Sequence, residues 1–318
     1  MDVNSKCVSF IENDKSACNI YRRNFPNATE YNDITDIVPF QIPEFDILLA
    51  GFPCQPFSQN SAYGTFVDMD DPRVGLFLHL VNICKVKQPK YFLLENVPRF
   101  TTMRNLQGIP MIELLKRKFQ RIGYEVGWKT MNAAEFGVPQ QRIRLYIMGT
   151  NTGDELKFPE SPKQYRSVRS ILDLSDSNHI TAKNTLGKRK MRNEPHSRHQ
   201  AMKLNYEIDA IIETDKPKKL SSVTNDTPSG VARQAEKLFS IDTVAPTVTT
   251  FANAFFDVDG VWRKLTVKET QRLFGFPDQF KLPKDYSQAI RLLGNSVCVP
   301  VVEKILRNFN FSRKNVKP

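Results

Sequence analysis

A chain of 318 residues, 40% hydrophobic and 25% charged, has the composition of a soluble globular protein with room for one large or two modest domains. No apolar run approaches the roughly 18 residues of a membrane span, and the opening "MDVNSKCVSF" has neither the basic flank nor the apolar core of a secretory signal. Membrane and secreted classes are set aside, leaving a cytoplasmic protein (nuclear in a eukaryotic host), and the net charge of +11 points to nucleic acid or to a lysine-rich solvated surface.

In chain order, "CVSFIE" predicts a strand ending on an acidic residue, Glu12, and "SACNIYRRNF" a helix. "ATEYNDI" reads as a short strand running to Asp33 and Ile34. "FDILLAGF" is the next strand, bounded by Gly51 and Pro53, with Cys54 just past its end on a loop stiffened by two prolines. "GLFLHLVNICKVK" has helical spacing, with Leu76, Leu80, Ile83 and Cys84 on one face. "KYFLLENV" is a further strand carrying Glu95, "MIELLKRKFQRIGY" a further amphipathic helix, and "EVGWKTMNAAEFG" with "RIRLYIMGT" a closing hairpin. Alternating strands and helices predict an α/β fold, a mostly parallel sheet covered by helices on both faces. Such sheets bind ligands at the carboxyl ends of their strands. Glu12, Asp33, Cys54 and Glu95 all fall at such ends, a grouping that packing does not explain.

From about 150 to 240 the texture changes, as in "LGKRKMRNEPHSRH" and "SSVTNDTPSG", and predicts a small irregular domain or a set of long loops. Order returns in "LTVKETQRLFGFPDQF", a helix starting near Thr266 and stopped by Gly275 and Pro277. "RLLGNSVCVPVVEKILRNF" reads as a glycine turn leading into a terminal helix. The five cysteines are odd in number and form no C-x-x-C, so neither disulfides nor a metal cluster is expected. Cys7, Cys18, Cys84 and Cys298 lie in apolar segments and read as core. Cys54, in its unusual setting, is a nucleophile, a metal ligand or a small buried side chain.

Five short motifs stand in one order: "GFPCQPFS", "ENV", "QQRIR", "RLFGFPDQF" and "LLGNSVCVPVV". Together they resemble the cytosine-C5 DNA methyltransferases, from residue 7 to about residue 307 outside the variable region. The resemblance implies a Rossmann-like sheet that uses S-adenosyl-L-methionine, and methyl transfer to carbon 5 of a flipped cytosine at a specific site in double-stranded DNA. It implies a catalytic and cofactor-binding domain over 1–150, a target-recognition domain over 151–245, and a return segment over 246–318 that completes the catalytic domain. A restriction-modification setting with a cognate endonuclease goes with it. Two other readings stand beside this one: an inactive DNA-binding remnant, and an enzyme that methylates RNA.

Carbon 5 of cytosine is a poor nucleophile until a thiolate adds at carbon 6, and the resemblance makes Cys54 that thiol. Glu95 is implied to contact N3 and the exocyclic amine as a general acid. Arg142 and Arg144 alternate along a strand and so share a face; the resemblance sets Arg144 by the cytosine carbonyl and Arg142 in support. For the cofactor, Glu12 is implied at the ribose, Asp33 and Ile34 at the adenine, Phe52 and Leu76 along the pocket, and Asn295 and Val297 at the methionine end. Asn13 departs from the pattern, where the family has an apolar or aromatic residue. The loop "SQNSAYGTFVDMDDPRVG" is implied to close on DNA, with Gln55, Ser58 and Arg73 as contacts, and "GKRKMR" offers Lys188, Arg189, Lys190 and Arg192 to phosphates.

The greatest departure is at the front. The family opens with a strand and a turn of the type "D-L-F-x-G-x-G-G", and no such stretch precedes Cys7 or stands in "NFNFSRKNVKP". By resemblance that strand is central, between those ending at Glu12 and Phe52. Three explanations stand: a start upstream of Met1, a second polypeptide that supplies the strand, or a decayed, inactive gene product.

Overall fold

The first strand, β1 (Ser9–Ile11), buries Phe10, and helix α1 (Lys15–Asn24) follows because Asp14 caps it: its carboxylate accepts from the amides of Ser16 and Ala17. β2 (Thr29–Tyr31) runs parallel to β1, with Ser9 opposite Thr29 and Ile11 opposite Tyr31. It stops two residues short of the expected end, because Asp33 leaves the strand to cap a single turn at Ile34–Asp36. The computed structural model describes residues 5–57, 64–163, 165–175, 180–181, 211–212, 214–222, 237–250 and 253–311. They fall into two units, one of Met1–Met131, Ile143–Glu160 and Glu303–Pro318, the other of Asn132–Arg142 and Ser161–Val302. No helix among the described residues is long and apolar enough to cross a membrane.

In the first unit β3 (Ile47–Gly51), β4 (Tyr91–Asn96), β5 (Glu125–Asn132) and β6 (Ile143–Thr150) form one sheet in the order β3-β4-β6-β5. β3 is parallel to β4, with Gly51 opposite Glu95, and β6 is antiparallel to β4, with Phe92 opposite Gly149. Helices α2 (Phe77–Lys87) and α3 (Met111–Gln120) send Leu80 and Cys84, and Met111, Leu115 and Phe119, into the core with Phe92, Leu94 and Ile147. Helical spacing thus gave the buried positions Leu80, Ile83 and Cys84, with Leu76 left outside the helix as its cap, whereas this sheet is less parallel than expected, since β4–β6 is antiparallel.

The parallel part of the sheet is in two pieces. Among the described residues no strand pairs with the outer edge of β3, or with the edge of β1 away from β2. Burial follows: β4 is buried nearly throughout, whereas Leu49 on β3 is 50% exposed and Ile47, Leu48 and Ala50 are only half-buried. That is the burial of an edge strand, on an apolar run that reads as an interior one. The two pieces are tied by other means. Tyr31 donates its hydroxyl to the Gln41 carbonyl (2.6 Å), and Lys87 on α2 reaches the Phe40 carbonyl (3.3 Å) and Glu44 (2.8 Å).

Gly149 shows how tightly this core is filled. A Cβ there would lie 2.0 Å from the Phe92 ring, whose centre is 4.1 Å from that of the tilted Phe119 ring. Gly149→Ala is expected to destabilise the fold by about 2–3 kcal/mol, read as a lower urea midpoint at unchanged slope. A midpoint shift under about 0.5 kcal/mol would mean that the ring moves aside freely.

In the second unit β7 (Lys219–Ser222), β8 (Lys237–Ser240), β9 (Phe255–Val258) and β10 (Val261–Lys264) form a second sheet in chain order. β9 and β10 are a hairpin closed by Asp259 and Gly260, both left-handed (φ 52° and 83°), as a two-residue turn between right-twisted strands demands. Helix α4 (Val267–Leu273) starts on a reciprocal cap between Thr266 and Glu269 and is stopped by Gly275 at φ 74°. α5 (Tyr286–Gly294) and α6 (Val299–Leu306) follow. Gly294 is not the turn residue that the sequence suggested. It is the last residue of α5, and a Cβ there would meet the backbone of Thr249 at 2.5 Å, so glycine is required by close approach.

Candidate active site

β3 and β4 end side by side, and their parallel register sets Gly51 opposite Glu95. The chain leaving β3 is pinned at once: Asn96, fully buried, donates to the Phe52 carbonyl (3.2 Å) and accepts from the Val97 amide (2.8 Å). The Cys54 carbonyl accepts from the Phe57 amide (2.9 Å), closing the turn Gln55–Phe57. Phe52 and Phe57 pack edge-on against Phe100 at 5.2 and 4.8 Å. Cys54 therefore sits half-buried on a loop fixed on both sides, with Gln55 exposed beside it. β6 begins at the same end, because it runs antiparallel, and Arg144 Nε lies 3.0 Å from Glu95 Oε1, each side chain 17% exposed. Cys54, Glu95 and Arg144 thus come from the ends of three adjacent strands.

The other thiols differ. Cys18, Cys84 and Cys298 are buried as expected, and burial pushes the Cys18 thiol up and that of Cys84 up to about 12, so neither ionises readily near neutrality. Cys7 is only half-buried and contacts the Tyr21 hydroxyl (3.1 Å), a correction to its place in the core.

Arg142 is a second correction. The strand begins at Ile143, so the two arginines do not alternate on one strand face. Arg142 is 4% exposed and gives its guanidinium to the carbonyls of Val248, Gly294 and Ser296. A guanidinium spent on main-chain carbonyls is poorly placed to support catalysis.

The residues expected at the cofactor divide. Glu12 follows β1, its amide bonded to the Tyr31 carbonyl (3.1 Å), and one carboxylate oxygen accepts from the Asp14 amide (2.8 Å). Asp33 follows β2; the Thr35 amide first, then the Thr35 hydroxyl and the Asn13 side chain, hold its carboxyl below the ordinary aspartate value. Asn13 is therefore no apolar wall: its amide donates to Asp33 Oδ2 at 3.0 Å and orients that carboxylate. Two carboxylates at neighbouring strand ends fit a nucleoside, whose ribose hydroxyls and exocyclic amine are donors. Ile34 packs on the core, Leu76 is half-buried just before α2, and Phe52 is mostly absorbed by aromatic packing. Asn295, exposed, and Val297 lie in the second unit, between α5 and α6.

Of the expected DNA contacts, Arg73 is paired with Asp71 two residues earlier (Nη2 to Oδ2, 2.6 Å), so its charge is partly answered locally. Ser58, Lys188, Arg189, Lys190 and Arg192 lie outside the described residues. Two structural residues escaped the sequence reading. Gln140, fully buried, donates to the Leu273 carbonyl (3.1 Å) and accepts from the Val248 amide (3.2 Å). Arg99 bonds the Gly64 carbonyl, and the Arg104 amide bonds that of Thr65 (3.0 Å), holding the far end of the loop after Cys54. Neither has a local signal, since the partners are distant in sequence.

Residues 1–310 match the model of the C-5 cytosine-specific DNA methylases. The Type II methyltransferase M.HaeII of Haemophilus aegyptius is 35% identical over 303 residues, which cover 94% of this chain and 84% of the relative. M.HhaI of Haemophilus parahaemolyticus is 30% identical over 324 residues, covering 99% and 90%. Among solved structures, the S. pombe Dnmt2 methyltransferase aligns with a TM-score of 0.65 at 18% identity, covering 97% of this chain and 94% of that one, a likeness of fold. With the strand-end triad and the Rossmann-like α/β sheet in place, the chain belongs to the C-5 cytosine-specific DNA methylases and is a DNA cytosine-C5 methyltransferase.

Proposed function

We propose that the chain methylates a flipped cytosine in double-stranded DNA at a defined sequence, as the modification half of a restriction-modification pair, through a covalent bond from Cys54 to carbon 6. The observation that carries this reading is the convergence of Cys54, Glu95 and Arg144 at one end of β3, β4 and β6. S-adenosyl-L-methionine, when bound, supplies the methyl group as a sulfonium electrophile; Glu12, Asp33 and Asn13 would hold its nucleoside, and Asn295 with Val297 its methionine end.

The chain's own residues prepare the ring. The Cys54 thiolate adds to carbon 6, and the displaced electron pair makes carbon 5 nucleophilic while N3 takes up a proton. Glu95 engages N3 and the exocyclic amine and holds that proton in place. Arg144 orients Glu95 and takes the carbonyl oxygen of the base, where negative charge would otherwise build. After methylation a water molecule takes the carbon 5 proton, the freed C–H pair forms the C5–C6 double bond and expels the thiolate, and N3 gives up its proton through Glu95. The segment 151–245 is read as the target-recognition part.

Among the described residues the outer edges of β1 and β3 are open, which supports one more element of this reading: a further strand, parallel to both and ending in a glycine turn by the methionine end of the cofactor, supplied by sequence upstream of Met1 or by a second polypeptide. One experiment tests both. Methyl transfer from labelled S-adenosyl-L-methionine to mixed-sequence duplex is measured for the chain alone and with a peptide of an apolar strand and a D-L-F-x-G-x-G-G turn. Label recovered as 5-methylcytosine in either arm is expected. Its absence from both, with no adduct on 5-fluorocytosine duplex, would overturn the function. Equal transfer with and without the peptide would discard the added strand.

A further inference from the structure

We infer that Arg142 is a positioning residue that sets the 294–297 turn, and through it the methionine end of the cofactor; the second half of this rests on the roles proposed for Asn295 and Val297. Its main chain is held first: the amide donates to Asn132 Oδ1 (3.1 Å) and the carbonyl accepts from the Ala133 amide (2.9 Å). From that base Nη2 donates to the carbonyls of Gly294 (3.0 Å) and Ser296 (2.8 Å), and Nη1 to that of Val248 (3.0 Å). The guanidinium carbon lies 5.1 Å from the centre of the Phe274 ring.

The Gly294 carbonyl lies in the peptide plane that enters Asn295 and the Ser296 carbonyl in the plane that enters Val297, so the two bonds hold the main chain on either side of the exposed Asn295 side chain. The carbonyl of Gly294 belongs to the end of α5, where carbonyls lack helical partners and the helix presents its negative pole; a cation suits both. The third bond falls on Val248, next to the Thr249 backbone against which Gly294 packs without a Cβ. Gln140, two residues before Arg142, accepts from the Val248 amide (3.2 Å) and so holds that segment from its other side. Arginine's planar fork can serve three carbonyls at once, and lysine's point charge cannot.

Arg142→Ala and Arg142→Lys test this. Hydrogen exchange of the amides at 293–298 is expected to speed up about tenfold or more in both, while 50–57 and 91–97 keep their protection. KM for S-adenosyl-L-methionine should rise about tenfold with KM for DNA within about twofold, since a misplaced positioning group degrades one ligand's geometry. Free guanidinium ion at low millimolar concentration should restore both readouts in Arg142→Ala and neither in Arg142→Lys. Unchanged exchange at 293–298 would overturn the inference, as would equal losses for DNA and cofactor. If the alanine variant fails to fold, the lysine variant carries the same two readouts. Wild-type transfer is the separate control for the function, and exchange is read without catalysis, so failure of one does not pass for failure of the other.

Discussion

Cys54→Ala is expected to lower methyl transfer at least about a thousandfold while leaving DNA retention within a few-fold of wild type. The size of the effect follows from the chemistry: without a bond at carbon 6 nothing makes carbon 5 nucleophilic, and no other described group replaces it. The restriction to catalysis follows from the geometry. The loop is held by Asn96 at the Phe52 carbonyl, by the Phe57 amide at the Cys54 carbonyl and by the Phe52–Phe57–Phe100 aromatic cluster, none of which involves the sulfur. Single-turnover methylation, a mobility-shift titration and gel analysis on 5-fluorocytosine duplex check the three parts. A residual rate within tenfold of wild type, or a stable adduct formed by the alanine variant, would remove Cys54 from the mechanism.

Glu269→Ala should cause the largest loss of stability, about 3–5 kcal/mol. Glu269 is fully buried, and its carboxylate accepts from Arg263 Nη1 (2.7 Å) and Nη2 (2.8 Å), from the Thr266 amide (2.8 Å) and from the Asp173 amide (2.9 Å). Removing it strands the Arg263 charge at 4% exposure, breaks the glutamate half of the reciprocal cap on α4 and orphans the Asp173 amide. A buried pair of this kind adds little over an apolar replacement, but half of one is costly. Arg263→Met with Glu269→Met should therefore recover much of the loss. Urea unfolding of the two variants decides the matter, and a single-mutant loss below about 1 kcal/mol would mean that water reaches the site.

Where sequence and structure agree, the reason is local. α3 was legible because Met111, Ile112, Leu115 and Phe119 fall at helical spacing, and the start of α4 because a threonine three residues before a glutamate is a capping signature. Cys54 and Glu95 were legible because a short apolar run followed by a polar residue marks a strand end. The hairpin at Asp259–Gly260 was equally local, since Asp-Gly is a strong hairpin signal, and it was passed over in favour of a general return segment. Arg142 and Gly294 were misassigned for the opposite reason. Their surroundings are built from residues about 106 to 154 positions away for Arg142, and from Thr249 for Gly294, and no period or dipeptide encodes such meetings. The Arg263–Glu269 pair is close in sequence, yet only tertiary burial makes it matter.

The split in the parallel sheet has a consequence for rate. The carboxylates at Glu12 and Asp33 ride on one ladder and the thiol on another, and the described links between them include a tyrosine hydroxyl, a lysine ammonium and the packing of Ile34 on the core. On the roles proposed for Glu12, Asp33 and Cys54, the gap between methyl donor and acceptor carbon is governed by whatever bridges the ladders, so turnover is open to control without disturbing either half.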